Sequence, residues 1–252
     1  MKRPALTLGI ALLWLACSDA SGPGAQPGVS LSFSTSRSAS AAAPGFRAGS
    51  MADTLDDGSN ELVLATVEIV LREIELKRMN HDDCDSTSVS DDSCEEFDAG
   101  PLLVNLPLDG AIETELTIDV PPDVYDEIEF DIHKVSNDDP EDADFRAQHP
   151  DMVRKSIRAT GTYNGQPFTY ETDLNVEQEH DLMPPLTIEE GATTANVTVF
   201  VDVGAWFVDG AGNLIDPMTA NKGGSNEGLV KENIKRSVEA FEDDDRDGDD
   251  DE

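Results

Sequence analysis

Positive charge is scarce in this chain. Its 252 residues carry 17 Lys and Arg against 53 Asp and Glu, a formal net charge of −36. A field of that sign repels nucleic acid and anionic membrane surfaces and draws metal cations and basic partners, so no nucleic-acid partner is expected. The alternative is a general solubilising or salt-adapted surface. Aromatic residues make up only 6 % of the chain, which argues against a broad stacking surface for sugars or bases. Catalytic signatures are lacking too. There is no Gly-x-Ser-x-Gly elbow, no His-Glu-x-x-His and no phosphate-cradling glycine loop. Carboxylates are so abundant that any two of them say nothing of glycosidase chemistry. His133, His149 and His180 are isolated in sequence and read as surface or strand residues. The expectation is a protein that is not an enzyme, with a hydrolase as the distant alternative.

Long apolar runs are absent but for residues 5–15, which match a signal h-region and are too short to span a bilayer. Lys2 and Arg3 precede the run, Leu15-Ala16-Cys17 closes it and Ser18-Asp19 follows. Charge, apolar stretch, small residue and cysteine in that order resemble a bacterial lipoprotein signal, in which the cysteine is acylated and becomes the mature N-terminus. Trp14 stands where such signals usually carry Leu. Residues 1–17 are therefore expected to be a signal with lipidation at Cys17. The chain would then be anchored in the cell envelope, and the resemblance to sorted lipoproteins, with Ser18 rather than Asp after the cysteine, implies the outer membrane where the cell has one. An ordinary secretory signal cleaved nearby, giving a secreted protein, is the alternative.

Only three cysteines occur. With Cys17 given to lipid, Cys84 and Cys94 form an even remainder, which in an oxidising envelope reads as a disulfide. The polar segment between them has no apolar period to hold it by packing. A bridge would remove loop-closure entropy worth about 2–3 kcal/mol. A metal site using His81, Asp82, Asp83, Cys84 and Cys94 competes, although it lacks paired Cys-x-x-Cys or His-x-x-x-His spacing.

Beyond the signal, the remaining ~235 residues suit one β-sandwich or two small domains. Residues 18–28 are Ser-, Gly-, Ala- and Pro-rich and read as a flexible tether. Residues 29–34 alternate as a first strand, and 35–60 return to Ser, Ala and Gly as a loop or second linker, so the domain starts at Val29 or near Glu61. In residues 62–76, Val67, Ile69 and Leu71 alternate, and so do Ile74 and Leu76 with changed parity. A strand with a bulge near Leu71-Arg72 fits, and so does a helix on Val67, Val70, Leu71 and Ile74; the β-branched content favours the strand. Strands are expected at 102–106, 112–120, around Ile128, Phe130 and Ile132, and at Val197, Val199 and Val201. The Asn164-Gly165 pair between 156–163 and 168–172 marks a hairpin with a type I′ turn. Val230, Ile234, Val238 and Phe241 recur at helical spacing, with Leu229 an alternative start and Ser225 or Asn226 as N-cap. The fold class expected is mainly β, an antiparallel β-sandwich over residues 29–241 with one C-terminal helix, followed by an acidic disordered tail, 242–252.

The segment Val120-Pro-Pro-Asp-Val-Tyr-Asp-Glu-Ile-Glu-Phe resembles the proline, turn, tyrosine and alternating-strand signature of uncharacterised exported bacterial lipoproteins with a transthyretin-like or carbohydrate-binding-like β-sandwich domain. The Gly161-Thr-Tyr-Asn-Gly165 hairpin, Trp206-Phe207 and Leu214-Ile215-Asp216-Pro217 add to the likeness. The resemblance implies a fold and a location, and it transfers no catalytic residue.

Two constellations bear on chemistry. Asp243-Asp-Asp-Arg-Asp-Gly-Asp249 fits the Asp-x-Asp-x-Asp-Gly opening of a calcium loop, in which alternate carboxylates meet a hard cation and glycine permits the sharp turn. Asp243, Asp245, Asp247 and Asp249 are the expected ligands. Asp250 stands at the usually apolar eighth position, and the twelfth lies beyond Glu252. A solvated tail, mobile from Asp243 onward without metal, is the other reading. Second, if 112–120 and 124–135 pair across Pro121-Pro122, Glu113, Glu115 and Asp119 face Glu127, Glu129, Asp131 and His133. Like charges opposed on a sheet must be solvated, screened, or matched to a cation or basic partner. The functional expectation is a lipid-anchored, non-catalytic envelope binding or structural module. It would contact the membrane through its anchor, and an envelope protein or glycan through its domain. A calcium-dependent carbohydrate-binding or adhesion domain is the alternative.

Overall fold

Val29, Leu31 and Phe33 alternate with serines, and that period of two makes strand β1 (Gly28–Ser34), apolar side inward. The computed structural model describes residues 28–35, 53–79, 100–190, 195–248 and 250, and β1 lies inside the smaller of its two sheets. β1 runs parallel to β10 (Ala195–Val201) and antiparallel to β5 (Glu113–Asp119). With β11 (Val238–Glu242) the order is β11-β10-β1-β5. The polar side of this sheet is not in water. Ser30, Ser32, Ser34, Asn196 and Thr198 are each at most 1 % exposed. Short hydroxyl and amide side chains here let a further segment lie close against the sheet.

The larger sheet is organised by β3 (Glu61–Arg78), whose two parity changes are bulges. Register shifts between Leu64 and Thr66 against β7 (Ile157–Tyr163), and between Arg72 and Glu75 against β6 (Val124–Ile132). At the second, Glu73 takes a φ of 52°, so the bulge sits just past the expected Leu71-Arg72. The bulges keep Leu62, Leu64, Val67, Ile69, Leu71, Ile74 and Leu76 all inside. The sheet order is β8-β7-β3-β6-β9, with β8 (Gln166–Thr172) and β9 (Val176–Thr187) at its edges; β2 (Asp53–Asp56) and β4 (Leu102–Asn105) also pair with β3. Asn164 and Gly165, with φ of 51° and 73°, make the expected hairpin turn between β7 and β8. One core fills the sandwich, with Phe33, Tyr125, Phe130, Tyr170, Trp206 and Phe207 at its centre. A satellite cluster of Val70, Val135, Phe145 and Met152 lies under the short helix α1 (Ala143–Gln148).

Two expectations are corrected. β5 and β6 do not form a hairpin; they lie in different sheets, and Pro121-Pro122 carries the chain between them. A Pro-Pro pair cannot take the positive φ of a hairpin turn or donate to a ladder. The Tyr125 hydroxyl donates to the Pro121 carbonyl (2.9 Å) and fixes this corner. The C-terminal helix α2 (Glu227–Lys235) is shorter than expected, because Val238 and Phe241 belong to β11. Asn226 stands at its N-cap but makes no cap hydrogen bond; its amide donates to Thr219 Oγ1 instead. β9 was not anticipated, because its run of charges and Pro184-Pro185 give no strand signal. Proline is tolerated there because β9 is an edge. No helix among the described residues is long and apolar enough to cross a membrane.

Candidate metal centre

The segment on the polar side of the smaller sheet is the aspartate loop itself. Asp243 follows β11 and is fully buried. Its N–H donates to the Asn196 carbonyl (3.0 Å), and its own carbonyl accepts from Asn196 Nδ2 (2.9 Å). Ser30 and Ser32 both donate to Asn196 Oδ1, at 2.8 and 2.7 Å, so the amide is held from below. Asn196 Nδ2 also donates to Thr198 Oγ1, which in turn donates to Asp243 Oδ2 (2.8 Å). Arg246 Nη2 donates to Ser30 Oγ, and the Asn196 N–H donates to Asp244 Oδ1. The tail expected to be mobile from Asp243 is therefore a folded loop through Gly248. A count of apolar residues misses its anchor, because the anchor is a buried carboxylate on a hydroxyl-amide relay.

The loop closes on that carboxylate. Asp243 Oδ1 accepts from the Asp247 N–H (2.9 Å) and Oδ2 from the Gly248 N–H (3.3 Å). Arg246 and Gly248 turn the chain with φ of 56° and 85°. Carboxylate oxygens of Asp243, Asp245 and Asp247 come within 4.8 Å of one another; Asp249 lies outside the described residues. Burial pushes the Asp243 carboxyl above its ordinary value, against the donors that hold it. A carboxylate offers about four lone-pair sites. Three are filled at Asp243, leaving one on Oδ1. The set is all hard oxygen, with two exposed carboxylates beside a buried one, which suits calcium better than a soft metal.

The second acidic constellation is assembled differently from the expectation. With β5 in the other sheet, the strand that carries Glu113, Glu115 and Asp119 does not pair with β6. The partner of β6 is β9, which sets Glu127 opposite Asp181, Glu129 opposite Glu179 and Asp131 opposite Glu177. Carboxylates of Glu129, Glu177 and Glu179 lie within 4.8 Å. Lys77 of β3 bonds Glu129 and pairs with Glu127 at 3.2 Å. Burial raises the Asp131 carboxyl, with the charge of Glu73 adding to it; burial raises Glu115 as well, with Glu113 adding.

His133 is not on that face. It is 4 % exposed, and its Nε2 meets Asp142 Oδ1 at 2.9 Å and Oδ2 at 3.1 Å. Asp142, fully buried, also accepts from the Ser136 N–H. Sequence reasoning missed Asp142, which sits in a polar loop beside many equivalent acids. His149 packs on Phe145 and His180 on Phe130, where burial lowers the His180 pKa. Cys17, His81, Asp82, Asp83, Cys84 and Cys94 lie outside the described residues. Comparison of the chain with protein-family models, with curated proteins and with solved structures finds no match.

Proposed function

We propose that this chain is an exported, lipid-anchored envelope protein whose mature part is a non-catalytic binding or structural module, akin to the lipoproteins with transthyretin-like sandwiches that its segments resemble. The observation that carries the reading is the order of parts. A lipoprotein-like signal over 1–17 and a Ser- and Pro-containing tether lead directly into β1, an interior strand of a β-sandwich. Mass spectrometry of the membrane fraction tests it. An acylated N-terminal Cys17 is expected, and Cys17→Ala should release the protein from membranes. An unmodified terminus beyond Cys17 would leave a secreted protein instead. A Cys84–Cys94 disulfide belongs to the same reading and predicts that neither thiol labels in native protein until a reductant is added.

The aspartate loop favours the second reading, a calcium-dependent carbohydrate-binding or adhesion domain. Asp243, Asp245 and Asp247 would hold the ion, which would neutralise three converging carboxylates and tie the loop to the sheet. Calorimetry with calcium should show binding at roughly 10⁻⁴–10⁻³ M, the range of extracellular modules, and lose it in Asp245→Asn/Asp247→Asn. Heat that persists in the double variant would move the site elsewhere.

A further inference from the structure

Basic side chains are few in this chain, and five of its seventeen gather at one place. A cleft of about 520 Å³ opens between the β8 edge, the turn at 153–155 and residues 221–222, a volume within the range of small-molecule sites. Arg154, Lys155 and Lys222 line it. Asp173, also in the lining, meets Lys222 and Lys231 at 2.7 Å each and Lys134 at 3.7 Å, so one carboxylate faces three ammonium groups. Lys155 is matched by Glu171 at 2.6 Å, and Lys231 also meets Glu227 at 2.8 Å. In the lining itself three cations, Arg154, Lys155 and Lys222, stand against two carboxylates, Glu171 and Asp173, in a molecule where carboxylates outnumber cations about threefold.

Two features mark the cleft as built. Arg154 has a φ of 68°, a left-handed conformation that is costly for a non-glycine residue. Its exposed guanidinium forms no ion pair among the described residues. A strained arginine stands where glycine would be easier. The wall is also braced. Asn221 accepts from the Glu171 N–H (2.8 Å) and donates to the Thr169 carbonyl (3.1 Å), taking a neighbouring strand's place along β8.

We propose that this cleft binds a small soluble oxyanion, the carboxylate or phosphate of a low-molecular-weight ligand, on the Arg154 guanidinium with Lys222 as second cation. A planar guanidinium matches an oxyanion in bidentate fashion. Lys222 is free to turn towards a ligand because Lys231 still holds Asp173. The net charge of the whole chain disfavours polyanions but weighs less on a small ligand inside a locally cationic cleft. The site lies on the larger sheet, stands apart from the aspartate loop, and holds whether or not Cys17 carries lipid.

The test is an NMR titration of the full mature chain with inorganic phosphate and, separately, with galacturonate, read at the amides of 154, 155, 169, 171 and 222. Arg154→Gly removes the guanidinium while suiting the left-handed backbone, so it should melt no lower than the parent. Saturable shifts are expected, with Kd raised at least about tenfold in Arg154→Gly and in Lys222→Met. Lys235→Met, outside the cleft, removes the same charge and should leave Kd within about twofold. Phosphate alone binding identifies a phosphate ligand, galacturonate alone a carboxylate, and both a general oxyanion site. Absence of saturable shifts with both probes, or equal weakening by Lys235→Met, overturns the proposal.

Discussion

Asp142 gathers a strand end and a loop around one buried carboxylate. Its oxygens accept from His133 Nε2 at the end of β6 and from the Ser136 N–H, and so position the chain that leads into α1 and the Val70–Phe145 cluster. Alanine would leave both donors without an acceptor, at about 1–3 kcal/mol each. Asp142→Ala should therefore cost about 2–4 kcal/mol in urea unfolding, and Asp142→Asn, which keeps one acceptor oxygen, about half as much. Both variants unfolding within about 0.5 kcal/mol of the parent would show that the pair carries no stability. None of this was legible at His133 itself. Alternation carried past Ile132 points its ring outward, whereas the strand ends there and the His133 N–H turns to the Val70 carbonyl.

Strands with one apolar and one polar side were legible. β1, β10 and the β7–β8 hairpin follow alternation and turn chemistry that leave one solution. Strand pairing was less so. A local pattern shows that residues 112–120 and 124–132 are strands, and only tertiary packing puts them in different sheets. The end of α2 was hidden because Val238 and Phe241 satisfy helical spacing as well as they satisfy β11. β9 was hidden by its outward acids, and these give the element its own prediction. Glu179 lies opposite Glu129 across the β6–β9 ladder, and it is exposed. Glu179→Lys exchanges a like-charged pair for an opposite-charged one, and cross-strand pairs are worth about 0.2–1 kcal/mol. A gain of about 0.5–1 kcal/mol is expected, shrinking in high salt. A loss of stability would mean that the three carboxylates are already held by a cation. The candidate site was legible only in part: the Asp-x-Asp-x-Asp-Gly spacing is plain, but the Asn196–Thr198 relay that anchors it comes from a strand 45 to 47 residues away in the chain.

At the scale of the molecule, two sets of carboxylates respond to acid in opposite senses. Burial raises Asp243, Asp131 and Glu115, so their protons bind more tightly in the folded state than in the unfolded one. Their contribution therefore grows as pH falls towards the ordinary carboxylate value. Asp57 is held down by the Leu214 N–H, Asp173 by Lys222 and Lys231, and Asp209 by Asn213. These keep their stabilisation above the ordinary value of 3.8 and lose it as pH falls through their depressed folded pKa. Self-repulsion at a net charge of −36 adds to the first trend, since protonation relieves it. Melting temperature should accordingly rise from pH 7 to about pH 5, then fall below about pH 4. Salt offers an independent check on the same balance. In about 0.5 M NaCl the Debye length shrinks to about 4 Å, which screens repulsion between exposed acids but leaves buried pairs such as His133–Asp142 little changed. The melting temperature at pH 7 should therefore be higher in that salt than at low ionic strength, and the difference should narrow at about pH 5. A melting curve indifferent to salt at pH 7 would mean that cations already neutralise the acidic surface, and dialysis against a chelator before melting would then reveal whether they are divalent.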